Sequence, residues 1–221
     1  MEEYTCKIVL VGDNKCGKTS LVHRFIHDKF LEVYTPTDFR VYTTTYEVND
    51  YRINFTIWDT SGAAAYDKVR PLTYQDARVL LLCFQIPCPN SLENIVNKWY
   101  PEIRQHCPNI PVILCGCQSD LRNDTDVLRN LSKLKKTPVT SEQALAASRQ
   151  ISATTYVETT TKHCGKTVKD AFEVIALASL GKLNKNHVTV QRHRSLMKRK
   201  YKSKIDLKEE LRDKARNCTL M

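Results

Sequence analysis

Eight consecutive residues, Gly12-Asp13-Asn14-Lys15-Cys16-Gly17-Lys18-Thr19, have the spacing Gly-x-x-x-x-Gly-Lys-Thr. Set between a strand and a helix, such a loop turns its backbone N–H groups toward an anion, and the helix N-terminus adds the positive end of its dipole. Asn14, Lys15, Cys16, Gly17 and Ser20 would then cradle the β- and γ-phosphates of a nucleotide, with Lys18 as a point charge on them. The Thr19 hydroxyl would ligate Mg²⁺. Asp59-Thr60-Ser61-Gly62 closes a β-rich run. An acid there can hold the Mg²⁺ shell and the Gly62 amide can meet the γ-phosphate. Asp120 follows another apolar run, where an acid taken by itself reads as a helix N-cap.

These groups need a scaffold that brings strand ends together. Cys6–Val11 reads as a short buried strand, followed by the loop and a helix from about Gly17 to His27. Val41–Val48 and Arg52–Trp58 are β-rich and separated by Asn49-Asp50, a hairpin signal. Val79–Phe84 and Pro111–Cys115 are continuous apolar runs, as strands covered on both faces require. Between them Ser91–His106 reads as a helix, with Ser91 as N-cap and Glu93 and Glu102 in solvent. Thr154–Glu158 is a last short strand, and Val168, Ala171, Phe172 and Ile175 form the apolar stripe of a closing helix. Alternation of this kind predicts an α/β fold: a doubly wound, mostly parallel six-stranded sheet with one hairpin. Asp124–Lys136 reads as an additional charged helical insert.

At 221 residues, with 42% hydrophobic and 26% charged side chains, the chain has the composition of a soluble globular protein. The net charge of +10 is uneven, because 182–221 holds 13 Lys/Arg against 4 Asp/Glu. Residues 1–181 form the expected nucleotide-binding domain and are close to neutral; 182–221 form a basic, largely disordered tail. No nucleic-acid partner is expected, and the domain is expected to be a monomer. The nine cysteines lack framework spacing, and Cys6, Cys83, Cys115 and Cys117 sit in or beside apolar runs, as small hydrophobes in a reducing compartment do. The acidic start, Met1-Glu2-Glu3-Tyr4, runs straight into a strand and predicts no signal peptide. No apolar run reaches membrane-spanning length.

With these motifs in place the chain resembles Ras-like small GTPases over its whole length. Asp120 matches the aspartate of their guanine-reading motif, and Glu158-Thr159-Thr160-Thr161-Lys162 resembles their last base-contacting loop, which implies base contacts from Thr160, Thr161 and Lys162. Phe30 matches the aromatic that packs edge-on to guanine. Tyr34-Thr35-Pro36-Thr37 resembles switch I, where Tyr34 would contact nucleotide and Thr37 would close on Mg²⁺ and γ-phosphate. Trp58-Asp59-Thr60, Tyr66-Asp67, Arg70-Pro71-Leu72 and the insert are features of the Rho branch. Trp-Asp-Thr-Ser-Gly, Gly-Cys-x-Ser-Asp-Leu and the long basic tail look like its Rnd subfamily. The resemblance implies a GTP- and Mg²⁺-binding protein, held in the GTP state and opposing Rho-driven contraction. It also implies effector and regulator contacts through switch I (Tyr34–Tyr42) and switch II (Ala63–Leu72).

The departures from the family pattern carry information too. Where hydrolysing relatives place a water-orienting Gln, directly after Gly62, this chain has Ala63. Asn14 replaces a loop glycine, filling space that the Gln and a partner's arginine finger need, and Ser61 replaces an alanine. No catalytic residue is therefore expected. Cys117 replaces a loop-tying Asn, and Gln118 replaces a Lys whose stem lies along the base; Gln118 can still stack its methylenes. Asp38 and Arg40 depart from the usual effector loop.

Cys218-Thr219-Leu220-Met221 has the form of a CaaX box, its terminal Met favouring farnesyl on Cys218. One lipid binds membranes marginally, so the basic run from His193 to Lys204 would supply the second signal, placing the protein on the cytoplasmic face of the plasma membrane with a cytosolic fraction. Ser195, after Arg192-His193-Arg194, is a candidate kinase site whose phosphate would weaken that attraction. Four readings stay open: a constitutively GTP-loaded switch, a cycling Rho-type hydrolase, a pseudo-GTPase scaffold and a small-molecule kinase. Asp120 and the CaaX box speak against the last.

Overall fold

Strands covered on both faces need unbroken apolar runs, and the two most continuous runs lie side by side within the sheet, neither at an edge. β4 (Val79–Gln85) and β5 (Val112–Cys117) are buried along almost their whole length. The computed structural model describes residues 1–33, 35–163 and 165–183. The chain divides into Met1–Lys182 and Leu183–Met221, and of the second unit only Leu183 is described. Tyr34, Ser195, the basic run and Cys218 lie outside the described residues.

Six strands form one sheet in the order β2-β3-β1-β4-β5-β6. β1 (Glu2–Gly12), β3 (Tyr51–Thr60), β4, β5 and β6 (Thr155–Glu158) run parallel, and β2 (Phe39–Val48) runs antiparallel to β3. Asn49 and Asp50 join that pair as expected, with Asn49 at φ 52°, where asparagine is tolerated better than branched residues. Register places Leu10 beside Asp59 and Gly12 beside Cys83. The functional loops after β1, β3 and β5 all leave the carboxyl end of one sheet, where ligands of doubly wound folds bind.

α1 (Lys18–His27) and α6 (Lys166–Ser179) cover one face. Phe25 stacks on Phe172 at 3.6 Å, and the whole expected stripe Val168, Ala171, Phe172 and Ile175 is buried. On the other face lie α2 (Pro89–Asn94), a π-helical turn (Ile95–Trp99) and α3 (Tyr100–His106). Pro101 has no N–H to donate back along the helix, and the widened turn immediately before it absorbs that break. Trp99 points inward from this turn and is fully buried.

Three expectations change here. Ser91 is not an N-cap: Pro89, whose fixed φ suits a first turn, opens the helix after Cys88. The buried Ser91 hydroxyl instead donates to the Cys88 carbonyl at 2.6 Å and accepts from Gln85 N–H at 3.0 Å, joining the helix to β4. Glu102 is not solvated, because Arg70 draws it inward. A helix the sequence reading omitted, α5 (Ser141–Gln150), packs beside β6. Its signal is a capping box, with Gln143 N–H donating to Thr140 Oγ1 and Thr140 N–H to the Gln143 side chain. The insert is α4 (Thr125–Lys133), capped by the Asp124 carboxylate and without a buried residue. Among the described residues no helix is long and apolar enough to cross a membrane.

Candidate functional site

A cleft of about 530 Å³ opens at the carboxyl end of the sheet, within the size range of small-ligand sites. Asn14, Lys15, Gly17, Lys18, Thr19, Ser20, Phe30, Thr37, Gly62, Gln118, Asp120, Thr161 and Lys162 all line it. Three further residues singled out from the sequence stand one layer behind. Cys16 is fully buried under the loop, Asp59 lies behind Thr19, and Thr160 lies behind Asp120.

Backbone geometry sets the phosphate end. Gly17, just before α1, sits at φ 105°, which side-chain-bearing residues rarely adopt. A Cβ on Gly62 would come within 2.5 Å of Asn14 N and Gly12 O, so only glycine lets the chain after β3 lie this close to the loop. Lys18 is buried, its ammonium donating to the carbonyls of Gly12 and Asp13 at 2.8 Å each. That fixes its charge at the loop's centre.

Beside Lys18 lie three oxygen donors. Thr19 Oγ1 donates to Asp59 Oδ2 at 2.6 Å and stands 2.8 Å from Thr37 Oγ1. Asp59 is fully buried, yet its other oxygen, Oδ1, has no hydrogen-bond partner among the described residues. Burial pushes its carboxyl above the ordinary value, against the opposing pull of the Thr19 hydrogen bond and the Lys18 charge. A buried carboxylate with an orphaned oxygen costs free energy that a cation offsets. Two hydroxyls and a carboxylate are hard ligands of the kind Mg²⁺ takes. The residues present fit that ion.

At the far end, Asp120 sits in a 3₁₀ turn (Ser119–Asn123) after β5. Thr160 Oγ1 donates to Asp120 Oδ1 at 2.7 Å and holds the carboxylate in one orientation. Gln118, at φ 59°, donates from Nε2 to the Lys15 carbonyl at 3.3 Å. Ser119 N–H bonds the Thr159 carbonyl at 3.0 Å, and Thr159 N–H bonds the Gly116 carbonyl at 2.8 Å. The loops are therefore tied without an Asn at Cys117, by backbone bonds and by Gln118.

The strand-to-switch segment differs from what sequence types alone suggest. Ala63 offers no polar side-chain atom. Its N–H is 3.3 Å from Ser61 Oγ, so that hydroxyl serves the local turn. Thr60 Oγ1 is likewise committed, donating to the Leu10 carbonyl at 2.6 Å. Asp38, a departure from the family pattern, accepts from the Tyr66 hydroxyl at 2.5 Å, and Phe39 packs edge-on to Tyr66. The two segments named as switches thus touch each other. Arg70, noted in the sequence only as a family feature, is a buried anchor for the second switch. A lone Arg between elements gives no sequence signal of burial, since burial follows from the Glu102 carboxylate that α3 brings to it.

Comparison with known proteins agrees with this geometry. The Ras family model matches residues 7–180. The chain is 43% identical over 224 aligned residues to the Rho-related GTP-binding protein RhoE of Homo sapiens, and equally to that of Mus musculus. Those alignments cover 98% of this chain and 91% of each relative. The Sus scrofa protein of the same name is 42% identical over the same share.

Proposed function

The chain belongs to the Ras family of small GTPases, in its Rho-related branch, and from that premise we propose that it is a signalling protein held in the GTP-bound state with little or no hydrolysis. The observation that carries this reading is a division within one site. Asn14–Ser20, Thr37, Asp59 and Asp120 retain the chemistry for phosphate, Mg²⁺ and guanine, while Ala63 has nothing with which to orient a water. When bound, Mg²⁺ neutralises charge on the β- and γ-phosphates. Thr19, Thr37 and Asp59 would hold it, Lys18 would turn from loop carbonyls to phosphate, and Asp120 would select guanine. Even an intact site hydrolyses slowly unaided, on the order of 10⁻⁴ s⁻¹, and gains about 10⁵-fold from an activating protein. Lacking the Gln and carrying Asn14 where an arginine would enter, this site forgoes both.

Output then comes from binding. The switch segments 35–42 and 63–72 are the proposed effector surface, with Asp38 and Arg40 altering inherited partner choice. The effect proposed is on actin organisation and cell shape, against Rho signalling. Cys218 is proposed as farnesylated and, with the basic run, as anchoring the protein at the cytoplasmic face of the plasma membrane.

The nucleotide content of freshly purified protein tests the first claim. GTP alone is expected; mainly GDP would support a cycling hydrolase, and an empty site a pseudo-GTPase. The last alternative draws on Cys117 and Gln118, which weaken the inherited base contacts. Mass spectrometry of Cys218 in protein from eukaryotic cells tests the anchor.

A further inference from the structure

We infer that Cys83, Cys115 and Cys117 form a binding site for one soft monovalent cation, Cu(I), in the floor of the cleft. Parallel pairing puts Cys83 beside Cys115, and Cys117 lies two residues on, so all three side chains leave the same face of the sheet. Their sulfurs all lie within 4.8 Å of one another, and Cys115 Sγ and Cys117 Sγ are 3.9 Å apart. A trigonal ion with metal–sulfur bonds of about 2.3 Å needs sulfurs about 4.0 Å apart. All three thiols are buried and free.

The donor set decides which ion fits. Thiolates select soft cations, and a zinc site would require a fourth ligand. The buried Cys16 thiol acts electrostatically on Cys115 and Cys117 but lies outside the 4.8 Å cluster, the neutral Thr159 hydroxyl is 3.6 Å from Cys115 Sγ, and the cluster holds no histidine or carboxylate among the described residues. Three sulfurs without a fourth donor suit Cu(I), which is stable in trigonal coordination. Binding must displace thiol protons. Cys117 also lines the cleft, so whenever no nucleotide fills it the ion has a route in that does not cross the sheet.

Reduced full-length protein, kept free of oxygen, is titrated with Cu(I) buffered by bathocuproine disulfonate. One equivalent should be retained, with an X-ray absorption first shell of three sulfurs at about 2.3 Å. Cys115→Val suits a buried strand position and should weaken Cu(I) binding at least about a hundredfold, the most that loss of a mere outer-shell partner costs. Cys6→Ser and Cys107→Ser should leave it unchanged. Wild-type affinity in Cys115→Val, or a shell of two sulfurs or of mixed sulfur and light atoms, overturns the site. If Cys115→Val does not melt cooperatively, the absorption spectrum of the unaltered protein decides alone.

Discussion

Arg70 is wholly buried, and its guanidinium meets the Glu102 carboxylate at 2.9 Å. The same side chain donates from Nε to the Ser61 carbonyl at 2.9 Å and from Nη2 to the Ala63 carbonyl at 3.2 Å. Its guanidinium carbon lies 4.6 Å from the centre of the Trp99 ring, and Trp99 donates from Nε1 to Asp13 Oδ1 at 2.8 Å. Asn94 donates to the other Asp13 oxygen at 2.8 Å. One contiguous set of contacts therefore joins the phosphate loop, the π-helical turn and the chain around Ala63. The proposed loss of hydrolysis leaves that chain without a catalytic Gln, but it is still held in one place by its carbonyls.

Removing Glu102 leaves the buried Arg70 charge to the half-exposed Asp67 carboxylate, 2.5 Å away. Glu102→Ala is therefore expected to cost about 1–3 kcal/mol of stability, because the hydrogen bonds that Arg70 and Tyr74 donate to Glu102 are lost while the charge stays partly paired. Urea denaturation of the nucleotide-loaded protein measures it. A loss below about 1 kcal/mol, the value of a surface pair, would show that the guanidinium finds water or new partners.

Thr160 is predicted to act on guanine through Asp120. Its hydroxyl holds one carboxylate oxygen, so Thr160→Val should free the carboxylate and weaken GTP binding by roughly 1 kcal/mol, about fivefold. Displacement of a fluorescent guanine nucleotide reads this directly. Equal affinity in the variant would mean that Asp120 is oriented by its turn alone.

Acid stability should depend on Glu158. Burial by itself would raise this carboxyl, but hydrogen bonds from Arg122, Tyr156 and Ser141 outweigh it and hold the group below its usual value. A folded value below the unfolded value of about 4.3 means the native state binds fewer protons in that window. The contribution is full above the unfolded value and is lost as pH falls through the folded one. Arg122→Met should lower stability at neutral pH by about 1–3 kcal/mol and flatten the acid limb of the curve. Thermal melts across the acid range check both, and an unchanged acid limb would assign the effect elsewhere.

Much of this was legible in the sequence, because it rests on local patterns. The Gly12–Thr19 spacing, the apolar runs of β4 and β5 and the stripe of α6 each specify an element without reference to the rest. What escaped depends on tertiary partners. Glu102 looks like an ordinary solvated helix acid until Arg70, in a distant loop, is folded against it. Ser91 has the right type for a cap, but Pro89 takes the first turn and β4 supplies better partners for the hydroxyl. Asp38 reads as a lost effector residue, and only the fold brings Tyr66 to it. The capping box at Thr140 was local and readable; it was hidden by the weak apolar periodicity of an alanine-rich helix.

Asp59 gives the sharpest test of the cation site. With Oδ1 buried and unpartnered among the described residues, the ion-free protein carries a carboxylate relieved by the Thr19 hydrogen bond and by the Lys18 and Arg40 charges. Asp59→Asn keeps the shape and the contact to Thr19 while removing the charge that Mg²⁺ would meet. In the unaltered protein, chelating Mg²⁺ should speed nucleotide release by tenfold or more, about 1.4 kcal/mol of barrier. In Asp59→Asn, release should already be fast, and chelation should change it little. A variant that still responds to chelation as the unaltered protein does would leave Thr19 and Thr37 as sufficient ligands. The buried, orphaned oxygen would then need another explanation.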